Sequence, residues 1–455
     1  MKVCPYRIVS VLDSVFRTCP ADGSVSAFLY PNNEAYQHSL GSYWRADIQQ
    51  IYPACIVQPL STEDVSLTLS TLVESNDYTV LGSTNAEYAV TIDLLMLNST
   101  VYNPETSTAS IQPGARWKSV YKALGEYNVA VPGGRGGAVG VGGFITGGGN
   151  SFHSAQYGFT CDAVVNFEIV LPTGTITRAN KTYNADLFKA LKGGSGNFGI
   201  VTRFDLEALP QESLWGGIVT YDHVSTVDAQ VEALVNFTNL VHLDPSVSLI
   251  PLYTYNSQLG FPIIANSLVY TKPIPYPEAF KAFYNLPNIS DSTRFTSLEG
   301  LVGELEPGGG LHENFFTLTF ANDPRIIQKA ISIQDRLIEE LKRSVKSVNW
   351  SIISLFQPLP GLFAEIGKRK GGNVLGLDED NNYIRETSMD ELEEFAKSMG
   401  GGYKYVYLNY AADTQHPLRS YGEKNLEFLK AVAETYDPHD IFQEQVPGGF
   451  KVSRA

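Results

Sequence analysis

A chain of 455 residues with 43% hydrophobic content can bury large cores and is long enough for two or three domains. Its formal net charge of −15 repels phosphate backbones and anionic lipid surfaces, and Lys and Arg gather into no stripe, so neither nucleic acid nor a membrane surface is an expected partner. No apolar run reaches the roughly 18 residues of a spanning helix, and the opening VCPYRIVSVLDSVF is broken by Arg7 and Asp13, which leaves no clear signal peptide.

In chain order, Ser61 to Glu74 reads as an amphipathic helix: Ser61 can cap it with Asp64 three residues on, and Val65, Leu69, Leu72 and Val73 share a face. DYTVLGSTNAEYAVTIDL, from Asp77 to Leu94, predicts a short hairpin of one strand (Tyr78 to Leu81), a brief connection with Gly82, and a second strand (Ala89 to Leu94). After the strand ASIQP comes a helix with Trp117, Val120, Tyr121 and Leu124 at i, i+3, i+4 and i+7 and Gly125 as its stop. Helices and strands in this rhythm predict an α+β protein.

Gly133 to Gly149 holds ten glycines among seventeen residues. Such density is entropically unfavourable unless positive φ angles or close backbone approach require it, and a run of free amides is what a diphosphate needs. A flexible linker fits poorly, because Val139, Val141, Phe144 and Ile145 would be wasted in solvent.

Next come a hairpin (VVNFEIVL, the turn PTGT, ITRA), a helix ADLFKALK capped by Asn184 and stopped by Gly193 and Gly194, and a strand GIVTRFDLEAL. The GxGxxG formed by Gly194, Gly196 and Gly199 follows a helix and opens a strand, the reverse of a dinucleotide loop, and no GK[ST] follows either glycine tract. A nicotinamide dehydrogenase and an NTPase are therefore unsupported. A boundary falls near Leu209 and Pro210, beyond which GGIVTYDHV, FPIIANSLVYT and FFTLTF predict a sheet covered by long helices, one starting at Pro324. GGNVLGLDEDN lacks the ligand spacing of a calcium loop and reads as a turn over a substrate cavity; no metal is expected. The end predicts a strand YKYVYLNYA, with Tyr405, Tyr407 and Tyr410 on one face and Asn409 on the other, then the helix EKNLEFLKAVAETY.

PACIVQPLSTEDVS, VTIDL, ASIQPGARWKSVY, VAVPGGRGGAVGVGGFITGGGNSF, YGFTCDAVVNFEIVLPTGTI, LFKALKGGSGNFGIVTRFDL, LNYA, SYG and YDPHDIFQ together resemble the FAD-linked oxidoreductases of the vanillyl-alcohol oxidase superfamily, in the berberine-bridge-enzyme-like branch common in fungi. The resemblance runs from about Tyr43 to Lys451. It implies a PCMH-type FAD-binding fold of two subdomains with an inserted substrate domain of antiparallel sheet covered by helices. The layout would be an N-terminal extension (1–40), an FAD-binding domain (41–210), the substrate domain (211–402) and a C-terminal return (403–455).

By the same resemblance, FAD would lie on the first tract through Gly134, Val139, Gly140, Gly142, Gly143, Gly147, Gly148, Gly149, Asn150 and Ser151, with Tyr157 and Gly158 just beyond. Gly196, Gly199, Ile200 and Val201 would follow its adenine and pyrophosphate half, and Asn409 and Tyr410 would reach toward the isoalloxazine. Oxidation of an alcohol or amine carbon needs a base, and Tyr407 and Tyr410, with Asn409, are the catalytic candidates; packing at the domain interface is their other reading. His153 and His416 are more readily structural, and Asp162 is expected to fix its strand.

Such relatives usually carry an Arg-x-Gly-Gly-His loop where this chain has LGSTNAE, its amides on the pyrophosphate and its histidine bonded to the flavin. Here that loop is absent: none of the seven histidines lies between positions 39 and 152. A second usual tether is a cysteine in the glycine tract, yet none occurs between Cys55 and Cys161, and Ala138 stands where it is expected. FAD is accordingly expected without a covalent bond. The leading function is an FAD-linked oxidase of a small, hydrophobic secondary metabolite with molecular oxygen as acceptor, working as a monomer. A flavin-independent cyclase or isomerase, a silent binding protein and a mis-spliced product stay open as alternatives. The four cysteines are expected as buried thiols, with one disulfide left open. Five sequons, starting at Asn98, Asn180, Asn236, Asn288 and Asn349, with the resemblance, lean toward a secretory route.

Overall fold

In the computed structural model, which describes residues 27–74, 87, 89–306, 309–386 and 390–455, the helix expected from Ser61 forms over Thr62–Glu74. The Ser61 hydroxyl accepts the Asp64 amide at 3.1 Å, and Val65, Leu69 and Leu72 are buried. This helix is the crossover between Cys55–Gln58 and Val90–Ile92, which pair in parallel, while Ala27–Leu29 adds an antiparallel edge from within the expected N-terminal extension. The second expected strand is shorter than Ala89 to Leu94 because the Asp93 carboxylate accepts the Leu95 amide at 3.0 Å and starts a 3₁₀ turn over Leu94–Met96. Tyr78 to Leu81 and the connection with Gly82 lie outside the described residues.

A five-stranded antiparallel sheet follows, ordered Thr100–Asn103, Thr108–Ile111, Ile200–Glu207, Val164–Val170, Ile176–Asn180. Its last pair is the predicted hairpin, and Phe167 packs edge-on against Phe188 and Phe204, both at 5.7 Å. The helix Trp117–Gly125 buries all four residues of its predicted stripe. Asn184 stands at the start of the helix Ala185–Ala190 with φ 49°, but its side chain does not cap it as expected; the amide turns back to the Arg178 carbonyl at 2.9 Å.

Beyond Leu214 two further sheets form. The larger runs Ser290–Asp291, Leu214–Asp222, Pro262–Tyr270, Val247–Asn256, Ser351–Leu355, with Arg294–Thr296 also on Leu214–Asp222. The helices His223–Leu240 and Pro324–Ser344 cover it, the second started by Pro324 with the Asp323 carboxylate accepting the Arg325 amide at 2.9 Å. The smaller sheet joins Gln357–Leu359, Tyr383–Glu386, Leu318–Ala321 and Gly402–Tyr403.

That last strand corrects an expectation. YKYVYLNYA is a strand only at Gly402–Tyr403; the chain then runs extended to Tyr407 and closes into a 3₁₀ turn at Leu408–Tyr410. Alternation alone would send Tyr410 away from Tyr407, and the turn is what returns it. After the helix Glu423–Tyr436 the C-terminal residues buckle the second glycine tract: Asn197 donates to the Gly194 and Phe450 carbonyls at 2.7 and 2.9 Å, and Gln443 donates to the Asn197 carbonyl at 3.1 Å.

Candidate active site

The first glycine tract builds a plate with two different faces. Its middle winds into the short helix Val141–Thr146, and its end turns through Gly148 and Gly149 with φ of 109° and 79°, angles that exclude most side chains. The Ser195 amide donates to the Thr146 carbonyl at 3.0 Å, so the second tract lies directly beside the first. On one face, Gly140, Gly143 and Gly196 have no atom within 4 Å of the place a Cβ would occupy, and Gly143 and Gly196 are exposed. On the other, Gly147 is covered by Asn409, Gly148 by Leu375 and Tyr407, and Gly149 by Phe144 and Thr160.

A flavin dinucleotide requires bare backbone to approach closely along an extended path. Two adjoining tracts with unobstructed Cα positions at Gly140, Gly143 and Gly196 meet that requirement, so the residues present fit FAD. Of the other expected contacts, Gly142 borders Pro113 and Val139 is exposed, whereas Gly134 serves packing, since a Cβ there would strike Trp117. Asn150 gives its backbone amide to the Tyr407 hydroxyl at 3.0 Å, and Ser151 gives its own to the Ser154 hydroxyl at 2.9 Å. Gly158 borders Asp162, Gly199 borders the Val170 carbonyl, Val201 is buried, Ile200 half-buried, and Tyr157 is half-buried with the Lys370 ammonium 5.5 Å from its ring.

Tyr407, Asn409 and Tyr410 do converge. The two rings meet edge-on at 5.1 Å, and the Asn409 amide donates to the Tyr407 hydroxyl at 3.1 Å and to the Phe144 carbonyl at 3.0 Å. Residues that sequence reasoning missed surround them. The Arg385 guanidinium lies 4.0 Å from the centre of the Tyr407 ring and 5.1 Å from that of Tyr410. Gln357 is the hub: its Oε1 accepts from Arg135 at 2.7 Å and from Arg385, while its Nε2 donates to the Tyr410 hydroxyl at 3.4 Å.

This arrangement separates the two phenols electrostatically. Burial raises the pKa of Tyr407 above that of an ordinary tyrosine. Burial acts on Tyr410 in the same sense, but the charges of Arg135 and Arg385 and the bonds donated by Gln357 and Arg135 outweigh it and hold that phenol below its usual value. Tyr405 is fully buried, its hydroxyl has no partner among the described residues, and desolvation pushes it far up, which removes it from the chemistry.

Other candidates take structural posts. His153 is 1% exposed and bonded to the Gln211 side chain at 2.7 Å; burial pushes its pKa down to about 4, so the ring is neutral. Asp162 accepts the Phe159 amide at 3.0 Å and the Asn373 side chain at 2.9 Å, bonds that hold the 3₁₀ turn Thr160–Ala163 ahead of the strand Val164–Val170. His416 begins the short helix Pro417–Ser420. Cys55 and Cys161 are buried free thiols. The turn in GGNVLGLDEDN lies over the glycine tracts, with Leu375 over Gly148 and Gly193. An arginine inside a glycine-rich apolar tract was a readable signal for Arg135, whereas Gln357 and Arg385 sit in strands with nothing local to mark them.

Residues 53–180 match the family model described as FAD binding domain. The chain is 42% identical over 88% of its length to the FAD-dependent monooxygenase drtC of Aspergillus calidoustus, covering 83% of that protein. It is 40% identical over 94% of its length to the FAD-dependent monooxygenase sdcF of Emericella nidulans, covering 96% of it. Among solved structures, the fold superposes on 6-hydroxy-D-nicotine oxidase from Arthrobacter nicotinovorans with a TM-score of 0.76 at 18% identity, covering 92% of this chain and 96% of that one. It superposes on the BBE-like 1 protein of Physcomitrella patens with a TM-score of 0.70 at 16% identity, covering 97% and 99%. The chain belongs to the FAD-linked oxidoreductases of the vanillyl-alcohol oxidase superfamily, with the PCMH-type FAD-binding fold, and to the fungal FAD-dependent monooxygenase group within them.

Proposed function

We propose that this enzyme oxidises a small, largely apolar secondary metabolite at a carbon bearing a hydroxyl or amine, with molecular oxygen as the final acceptor and FAD held without a covalent bond. The observation that carries the reading is the Tyr410 phenol, half-buried edge-on to Tyr407 and held below the usual tyrosine value by Arg135 and Arg385. When bound, FAD supplies the two-electron acceptor that such an oxidation needs. Tyr410 takes the proton from the substrate hydroxyl or amine, and Gln357 keeps its oxygen pointed into the site through the Nε2 contact at 3.4 Å. Asn409, tied to Tyr407 and to the Phe144 carbonyl, holds the 3₁₀ turn that presents Tyr410.

In this reading residues 41–210 and 403–455 hold the cofactor and residues 211–402 supply the substrate wall. Noncovalent attachment is supported by the chemistry of the nearest candidate tethers. His153 is engaged with Gln211, and Cys161 lies buried on the far side of Gly148, whose carbonyl accepts its amide at 2.9 Å. Nothing favours the flavin-independent cyclase or isomerase over a member of an FAD-dependent family.

The test is turnover of candidate fungal aromatic and polyketide alcohols in ¹⁸O₂, with peroxide measured alongside. One peroxide per product and no label in the product supports the oxidase. Label in the product with no peroxide would replace it by the monooxygenation for which the fungal relatives are named.

A further inference from the structure

Arg135 and Arg385 are 8% and 1% exposed, and among the described residues neither is paired with a carboxylate. Both lean on one neutral oxygen, Gln357 Oε1, and among the described residues the Nε and Nη1 atoms of Arg385 have no hydrogen-bond partner. Buried cations in this state are strongly unfavourable unless an anion joins them. Tyr410, if ionised, neutralises one of the two guanidinium groups and leaves the other unmatched. The cluster therefore lacks at least one negative charge.

Arg135 and Gln357 also line, with Asn150 and Ser151 and the apolar Val247, Leu249 and Phe363, a cavity of about 20 Å³. That volume admits a single oxygen-sized group, so it seats one end of a ligand rather than its body. Two of the apolar residues come from the strand Val247–Asn256 of the larger sheet, so that sheet forms part of the cavity wall. We propose that Arg135, with the charge of Arg385 behind it across Gln357, seats an anionic oxygen of the substrate, and that this enzyme therefore acts on an organic acid, a carboxylate or acidic phenol carried on an apolar body. Guanidinium groups suit this task because their planar donors match an oxyanion and they stay charged when buried. The proposal rests on the oxidase reading for its substrate site but not for its charge.

The experiment uses the full chain loaded with FAD and titrates benzoate and, separately, benzamide by calorimetry, with the flavin spectrum recorded throughout. Benzoate is expected to bind at least tenfold more tightly than benzamide. Arg135→Gln and Arg385→Gln should each cut the benzoate affinity tenfold or more without changing that for benzamide, and Arg135→Lys should recover part of it. Because Arg385 also packs on Tyr407, circular dichroism checks its variant for folding, and the Arg135 pair of variants decides if it fails.

Equal affinity for the two probes, no benzoate binding by the FAD-loaded protein, or benzoate affinity unmoved by the Arg135 variants would overturn the proposal. A flavin midpoint potential lowered in Arg385→Gln with benzoate affinity intact would do so too, and would assign the charge to the reduced flavin. A protein that holds no FAD yet prefers benzoate would contradict the oxidase reading and leave this one standing.

Discussion

Asn409 lies directly over Gly147: a methyl group placed on that glycine would overlap the Asn409 Oδ1 atom. The contact joins the C-terminal return to the glycine plate, and it sets the turn that carries Tyr410. Gly147→Ala should therefore lower stability by about 1–3 kcal/mol through overpacking, and Asn409→Ala by a similar amount through its lost hydrogen bonds. The double variant should be destabilised by clearly less than the sum, because removing the side chain relieves the overlap. Urea unfolding of the four proteins measures this coupling, and strictly additive losses would mean that the two residues do not press on each other.

Tyr410 should ionise below the range of an ordinary tyrosine, and alone among the site phenols, since Tyr407 and Tyr405 are both raised. Ultraviolet difference titration near the tyrosinate band should reveal one early-ionising phenol in the native protein and none in Tyr410→Phe. The same variant should lose roughly 100- to 10,000-fold in turnover, the usual range for a general base, while keeping its FAD. An early tyrosinate that survives the substitution would assign the role to another residue.

His153 predicts an acid-side loss of stability. In the unfolded chain a histidine takes up its proton near 6.5, whereas the buried ring does so only near 4. Between these values the unfolded state binds more protons, so stability is full above about pH 6.5 and falls as pH drops toward 4, by up to about 3 kcal/mol. Asp437, raised by burial to about 6, titrates in an overlapping window with the opposite sign, so the native curve alone is ambiguous. The stability of the native protein relative to His153→Gln cancels Asp437 and should fall steadily on acidification. A constant difference in denaturant midpoint from pH 7 to pH 4.5 would refute the assignment.

Where local rules and tertiary structure agreed, the sequence was legible. Trp117, Val120, Tyr121 and Leu124 fell on one face at helical spacing and are buried together; Pro324 opened a helix, and the glycine tracts built a plate. The active-site segment was misread twice: the expected strand gives way to a turn at Leu408–Tyr410, and Tyr410 was put on the face of Tyr407, which alternation denies to residues three apart, so the two meet only because of the turn. Arg385 and Gln357 were invisible for a different cause: their importance is that they meet Arg135 and Tyr410 across long stretches of chain, and no local spacing encodes that meeting.

The central claim is that these two glycine tracts hold FAD without a covalent bond, and the most direct measurement is the visible spectrum of the purified protein before and after acid precipitation, repeated with added FAD. The account predicts flavin absorbance in the native protein, or its appearance on adding FAD, and a yellow supernatant after precipitation. A yellow pellet over a clear supernatant, or a colourless protein that ignores added FAD, would contradict it.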